Sequence, residues 1–215
     1  MHVDHLVWYN ADLSQGREFF AGRMDAEPLY GGEHPGEATA NAVLGLGPST
    51  YLEILGRDTG QQETQLDPEV RSLRGAGLYH WAIGGIDLVD LADRATRAGL
   101  AAGPAVPGGR IKPDGQRLDW VCWGLRDHAF GALIPFFIDW RASEHPAVSA
   151  PRGGRLSSIR VFTPEAEQLR GIFWILGLAI EVVEHDVAGV VATLESSKGV
   201  TELTSFTPLP RGYVI

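Results

Sequence analysis

Apolar and polar residues alternate along residues 3–9, Val-Asp-His-Leu-Val-Trp-Tyr, so this stretch predicts a β-strand. With a period of two, His5, Val7 and Tyr9 share one face, and Asp4, Leu6 and Trp8 share the other. The pattern then predicts a helix over 13–23, with Leu13, Phe19 and Phe20 among its apolar positions. A Gly-rich polar stretch follows at 31–38, then strands at 40–46 and 50–55. Tyr51, Glu53 and Leu55 share one face of the latter. Residues 56–72 are polar and are expected to act as a linker.

The same order begins again at 77–83, a strand, followed by a helix over 88–98. There Leu88, Leu91, Ala95 and Ala98 recur at helical spacing and Gly99 is the expected C-cap. Residues 103–117 read as a Gly/Pro loop carrying Arg110, Lys112 and Arg117, and strands are expected at 118–124 and 132–139. A third round starts with a strand at 156–162. Thr163 and Pro164 suit a helix start, a helix runs over 165–176 to Gly177, and strands follow near 179–185, 188–195 and 199–205. Strand, helix and several strands, three times at about 75-residue spacing, predict an α+β fold. Three βαβββ modules are expected, over 1–58, 76–141 and 155–207. The first two pair into a cupped half-barrel domain, 1–148, and the third forms a C-terminal unit, 155–215. A third module without an internal partner points to a homodimer.

Within this repeat one stretch occurs twice. His5 and His80 each open an apolar, strand-like run, and Asp-Leu follows each histidine seven residues later, at Asp12 and Asp87, good N-caps. Either these histidines are ligands of one site or they are core side chains.

Composition narrows the function. Hydrophobic residues make up 44% of the chain and charged residues 21%, ordinary for a globular protein with a full core. The net charge of −9 disfavours nucleic acid, whose phosphates require clustered Lys and Arg, and offers nothing to an anionic membrane. The longest apolar runs, near 129–138 and 171–180, are too short to span a bilayer. One cysteine, Cys122, excludes an intrachain disulfide, so a cytoplasmic location is expected, and no activating partner marks it as a nucleophile. The expected partner is a small molecule.

Several segments together resemble the vicinal-oxygen-chelate superfamily, in its glyoxalase-like branch (the glyoxalase, bleomycin-resistance and extradiol-dioxygenase type). They are Asp4-His5-Leu6-Val7-Trp8, Leu52-Glu53-Ile54, Arg110-Ile-Lys-Pro-Asp-Gly-Gln-Arg-Leu-Asp-Trp120, Ile134-Pro-Phe-Phe-Ile-Asp-Trp140 and His145-Pro146. The resemblance covers residues 3–148. It implies paired modules cupping a divalent metal, with ligands from the first and last strands of each. By position these are His5, Glu53 and His80, while Phe136 falls at or near the fourth place and supplies no donor. Two histidines and a carboxylate suit Fe, Mn, Zn or Ni, and an open position would take adjacent oxygens of a substrate. Glu53 is also the candidate catalytic base.

Tyr9 and Tyr51 share faces with these residues, and with Arg110 and Phe136 they are the candidate substrate contacts. Arg110, Lys112 and Arg117 read either as a clamp for a carboxylate or phosphate or as an ordinary solvated loop. The third module has Ser158 where His5 stands and Glu202 where Glu53 stands. The functional expectation is a metal-dependent lyase, isomerase or dioxygenase acting on vicinal oxygens. The alternative is a metal-free small-molecule binder.

Overall fold

The computed structural model describes residues 1–213; residues 214 and 215, the end of the expected C-terminal unit, lie outside them. The chain begins with β1 (His2–Asn10), α1 (Leu13–Ala21), β2 (Leu29–His34), β3 (Thr39–Gly45) and β4 (Tyr51–Arg57). A 3-10 turn at Glu63–Gln65 and α2 (Pro68–Ser72) lead to β5 (Ala76–Gly84) and α3 (Leu88–Arg97). Then come β6 (Ala101–Ala102), β7 (Val106–Ile111), β8 (Arg117–Trp123), β9 (Leu125–Arg126), β10 (Phe136–Asp139) and α4 (Pro146–Ser149). The chain continues through β11 (Arg155–Thr163), α5 (Ala166–Leu176), β12 (Glu181–Glu184), β13 (Gly189–Ser196) and β14 (Gly199–Thr204).

Eight strands form a closed barrel in the order β1-β4-β3-β2-β7-β8-β10-β5, where a half-barrel was expected. Each half is ordered alike: β1 lies parallel to β4, and β5 lies parallel to β10. The halves join along β1 and β5, which run antiparallel over most of their length. On the far side, β2 meets β7 through the single pair Glu33 and Ile111. That seam explains why 31–38 is not simply a polar connection. Gly31 and Gly32 lie inside β2, because a side chain on Gly31 would strike Arg110 and Asn41, and one on Gly32 would strike the carbonyl of Ile111. Glycine weakens a strand but is what close approach of another chain segment requires. Likewise 106–111 is strand β7, not loop, and Arg110 is buried within it.

Strand alternation sorts the side chains into an inside and an outside. Outward residues such as Leu6, Trp8, Leu52, Ile54, Trp81 and Phe137 pack against α1, α3 and α5 in one core. Inward residues such as Val7, Leu55, Ala82, Cys122, Phe136 and Ile138 form a second cluster within the barrel. Trp8, Trp81 and Trp123 therefore belong to the outer core, and Trp120 and Trp140 pack on the inner one.

The C-terminal sheet repeats the expected order of elements but not the expected connections. Its strands lie β12-β11-β13-β14, with β11 in the interior, whereas β1 and β5 each sit at the junction of the barrel halves. Its apolar face joins the outer core through α5; Phe173 packs against Trp81 at 6.3 Å between ring centroids. Ser158, Thr193 and Glu202 form one row on the other face, where Glu202 is exposed and lies 3.7 Å from Arg160. A sheet of this order is not a third barrel half, which removes the reason for expecting it to need the same kind of partner. Among the described residues no helix is long and apolar enough to cross a membrane.

Candidate functional site

The barrel encloses a cavity of about 580 Å³ that receives His5, Glu53, His80, Tyr51, Arg110 and Phe136. Tyr9 is the exception among the expected site residues. It is fully buried at one end of the inner cluster, where its hydroxyl accepts a hydrogen bond from Arg57 Nε at 3.1 Å, and it does not line the cavity. The segment expected to be a linker covers the mouth: Leu66, Asp67, Glu69 and Val70 line it, together with Arg211 and Tyr213 from the chain's end. Arg211 is tied to this cover through Glu69 Oε1, which accepts from its backbone N–H at 2.8 Å and from its Nε at 3.3 Å.

Two rows across the strands set the site. Glu53, Val7 and His80 lie side by side on β4, β1 and β5, and His5 stands beside Ala82, which in turn pairs with Phe136. Glu53 and His80 are thus separated by a whole strand, roughly 10 Å at the backbone. His5 is closer to Glu53, with its Nε2 3.8 Å from Oε2. Phe136 stands edge-on to both histidines, 5.4 Å from His5 and 6.3 Å from His80 between centroids. The apolar residue at the fourth ligand position therefore packs against both rings.

Glu53 is the best-connected group in the cavity. Asn41 Nδ2 donates to its Oε1 at 2.6 Å, and His34 Nε2 lies 3.7 Å from the same oxygen. Arg110 Nη1 donates to Asn41 Oδ1 at 2.7 Å, which fixes the orientation of the amide. Burial alone would push the Glu53 carboxyl up. His34 and His5, the Asn41 hydrogen bond and Arg110 outweigh burial and hold it below the ordinary carboxylate range. Glu53 is therefore ionised at neutral pH, and Oε2 is the oxygen without a hydrogen bond.

His5 is oriented from behind. Its Nδ1 lies 2.7 Å from Asp4 Oδ1, on the opposite side from the cavity. Burial would raise the Asp4 carboxyl, but hydrogen bonds and charge from His145 and His5 overcome it and hold it well below the usual range. An ionised Asp4 accepts, so His5 Nδ1 donates to it and Nε2 is turned to the cavity. His80 differs. It makes no hydrogen bond among the described residues, and burial lowers its pKa to about 3, which leaves a neutral imidazole among the rings of Tyr79, Phe136 and Tyr213.

Sequence reasoning gave no role in the site to His34, Asn41, Asp4 or His145. Asn41 had a signal, as the one amide inside the otherwise apolar strand Thr-Ala-Asn-Ala-Val-Leu-Gly. His34 had none, because it falls in the Gly-rich polar stretch 31–38. Cys122 is buried as expected, and burial pushes its thiol up to about 12.

His5, Glu53 and His80 face one cavity without converging on a point. The one trio of described residues whose ligand atoms all lie within 4.8 Å of one another is His2, Asp4 and His145, behind His5. Hydrogen bonding accounts for Asp4 and His145 of that trio, and His2 Nε2 stands off at 4.0 Å from Asp4 Oδ2. His145 Nδ1 accepts from the Ala147 N–H at 3.1 Å, so the ring proton sits on Nε2 and is donated to Asp4 Oδ2 at 3.1 Å. A metal on Nε2 would have to displace that proton while Nδ1 stays an acceptor. Trp140 Nε1 adds a further donor, 3.3 Å from both Asp4 oxygens.

The model of the glyoxalase-like domain matches residues 3–174. The chain belongs to this family. The resemblance to the glyoxalase-like branch of the vicinal-oxygen-chelate superfamily therefore holds, and it extends past the barrel into α5. No curated protein matches the chain. Among solved structures it is similar to a hypothetical protein from Staphylococcus aureus, at 14% identity and a TM-score of 0.65 over 93% of this chain and 84% of that one. A Streptomyces coelicolor methylmalonyl-CoA epimerase variant in complex with 2-nitronate-propionyl-CoA matches at 17% identity and a TM-score of 0.47, over 68% of this chain and 99% of that one. Methylmalonyl-CoA epimerase from Mycobacterium tuberculosis matches at 16% identity and a TM-score of 0.42, over 63% and 84%. At these identities the likeness is one of fold.

Proposed function

We propose that this chain is an enzyme that binds a small molecule in the barrel cavity through two adjacent oxygens and moves a proton on it, as an isomerase or lyase does. The observation that carries this reading is Glu53, a buried carboxylate held ionised, with Oε1 fixed by Asn41 and Oε2 open to the cavity. A base held in its charged form, away from water and with one oxygen immobilised, is arranged to accept a proton. Its lowered pKa limits its strength in the empty cavity. A ligand's negative charge alongside would raise it toward the working pH. Tyr51 and Phe136 would hold the ligand's body, and Arg110 would hold one end.

The donor set is chemically suited to Fe, Mn, Zn or Ni. His5 offers a free Nε2 backed by a carboxylate, His80 is neutral and unbonded, and Glu53 is ionised. His5, Glu53 and His80 face the cavity without converging, so they would have to close on such an ion to hold it; bound, it would polarise substrate oxygens and stabilise an enolate or activate O₂. The second reading is a metal-free binding protein of the same fold. It is favoured by the strand between Glu53 and His80 and by the Asn41 bond that already occupies Oε1. A cytoplasmic location completes the proposal.

Elemental analysis of the purified protein, with His5→Ala and His80→Ala alongside, tests the metal. Glu53→Gln tests the base. Solvent deuterium exchange at carbon next to a carbonyl, in small hydroxy and oxo acids, should fall 10² to 10⁴-fold in this variant, the usual worth of a general base. Exchange at the wild-type rate would remove Glu53 from the chemistry. Absence of stoichiometric metal, with ligand binding intact in both histidine variants, would leave the binding-protein reading.

A further inference from the structure

The polar wall of the cavity contains a cation whose hydrogen bonding is incomplete. Arg110 is 4% exposed on β7, reaches over the β2 seam, and uses Nη1 on Asn41. Its Nε has no partner, and it and Trp123 Nε1 are the buried side-chain nitrogens left so among the described residues. No carboxylate of the described residues lies within 4 Å of this guanidinium; Glu53 is reached only through Asn41. Burying a guanidinium with an idle donor is costly unless something supplies the acceptor. The chain makes room for this arrangement, since any side chain at Gly31 would strike Arg110 and Asn41.

The other basic residues of the segment do not join it. Lys112 Nζ donates to Gln116 and lies 3.4 Å from Asp114; Arg117 Nε lies 2.7 Å from Asp119. Neither lines the cavity. Of the basic residues in this segment Arg110 alone faces inward, next to an ionised glutamate; Arg211, at the mouth, is already paired with Asp67 and Glu69. A phosphate dianion would bring more negative charge than one guanidinium answers, whereas a carboxylate brings one charge and the planar, two-oxygen shape that the fork of an arginine fits. The apolar and aromatic part of the lining includes Val7, Leu55, Phe136, Ile138 and Trp120.

We infer that Arg110 is the carboxylate subsite of the cavity, and that the natural ligand is a small monocarboxylic acid with an apolar or aromatic body. Arg110 and Glu53 lie two hydrogen bonds and one amide apart, so an acid seated on Arg110 places the atoms beside its carboxylate near Glu53 Oε2. The inference rests on the reading of this cavity as the binding site, and it narrows the substrate to acids whose carboxylate neighbours the reacting carbon.

Calorimetric titration of the full chain with benzoate, phenylacetate and phenylpyruvate, each against its neutral amide, tests it. At least one acid should bind tenfold or more tightly than its amide. Arg110→Gln should abolish that preference, and Arg110→Lys, which keeps charge but not the fork, should retain part of it. Inorganic phosphate should bind more weakly than the preferred acid. Equal binding of acid and amide, no binding of any acid, tighter binding of phosphate, or an acid preference that survives in Arg110→Gln would each overturn the inference. Should Arg110→Gln not fold, the acid-against-amide comparison on the wild type and Arg110→Lys still decides. The two proposals fail separately. Glu53→Gln with exchange unchanged removes the base and leaves the Arg110 preference standing; loss of exchange in Glu53→Gln with no acid preference leaves the base and removes the carboxylate subsite.

Discussion

The two halves of the barrel share a strand order and differ in what they carry. β1 to β4 bring His5, His34, Asn41 and Glu53 to the cavity, linked by hydrogen bonds and close charge contacts. β5, β8 and β10 bring His80, Cys122, Phe136 and Ile138, and His80 is a neutral ring among aromatic ones. Arg110 is the exception, a charged residue of the second half that crosses the seam to join the first half's network. Symmetry of backbone thus sets where a side chain can point, and the chemistry is decided residue by residue on that frame. One polar wall and one apolar wall would hold a ligand by its charged end and its body at once. Two polar walls in so small a space would face each other with charges that nothing satisfies.

The sharpest way to break this contrast is to put a charge on the apolar wall. Phe136→Glu places a carboxylate where Tyr213 now stacks on the ring at 4.5 Å. With a chelator present the variant should lose on the order of 4 kcal/mol of stability, from the lost aromatic packing and the unpaired buried charge together. Denaturant midpoints measure this. A loss below about 1 kcal/mol would show that the wall is wetter or looser than described. Adding Mn or Zn should restore part of the loss if His5, Glu53 and His80 hold an ion beside this position, because the new carboxylate would then be a fourth ligand.

What the sequence made legible follows from where each signal is stored. Strands β1 and β4 and helix α5 were readable because their side chains repeat with the period of the element, and because Gly177 closes α5 in the left-handed conformation, with φ of 78°. The inward faces of His5, Tyr51 and Glu53 came from the same alternation. The strand character of 29–34 and 106–111 was not readable. Their glycines and prolines read as a polar stretch and a Gly/Pro loop, and the reason for them lies in contacts of β2 with β7, far away in sequence. Strand order in the third unit is likewise absent from periodicity. The order βαβββ fits both the barrel halves and the sheet β12-β11-β13-β14, so it does not fix which strands pair. Asp4 was seen to face away from the cavity, and that placement is what lets it hold His5 from behind.

A subtler test concerns the histidines, alike in sequence and unlike in setting. Burial lowers the pKa of His80 to about 3 from an ordinary 6.5, so protonation favours the unfolded chain. Stability on this account is complete above about pH 6.5 and is lost as pH falls toward 3, by about 1.4 kcal/mol for each unit. In metal-stripped protein the wild type should therefore lose about 2 kcal/mol more between pH 7 and pH 5 than His80→Phe, which keeps an aromatic ring among Tyr79, Phe136 and Tyr213. Parallel stability curves for the two proteins would mean that His80 reaches water or a proton partner in the folded state.

The smallest effect is expected where the basic segment of 103–117 divides. Arg110 points inward, and Lys112 and Arg117 belong to the outside, each with an acidic neighbour two residues along the chain. Exposed pairs of this kind contribute from nothing to about 1 kcal/mol, because water already solvates both charges and the side chains lose freedom on pairing. Lys112→Ala and Arg117→Ala should each change stability by less than about 0.5 kcal/mol. They should leave the affinity for a carboxylate ligand within about twofold of wild type, since charges outside the barrel are screened by solvent and salt. The same titration that compares acids with amides reads both variants. A tenfold loss in either would mean that the segment acts as a three-cation clamp, and the division between an inner Arg110 and an outer Lys112 and Arg117 would have to be redrawn.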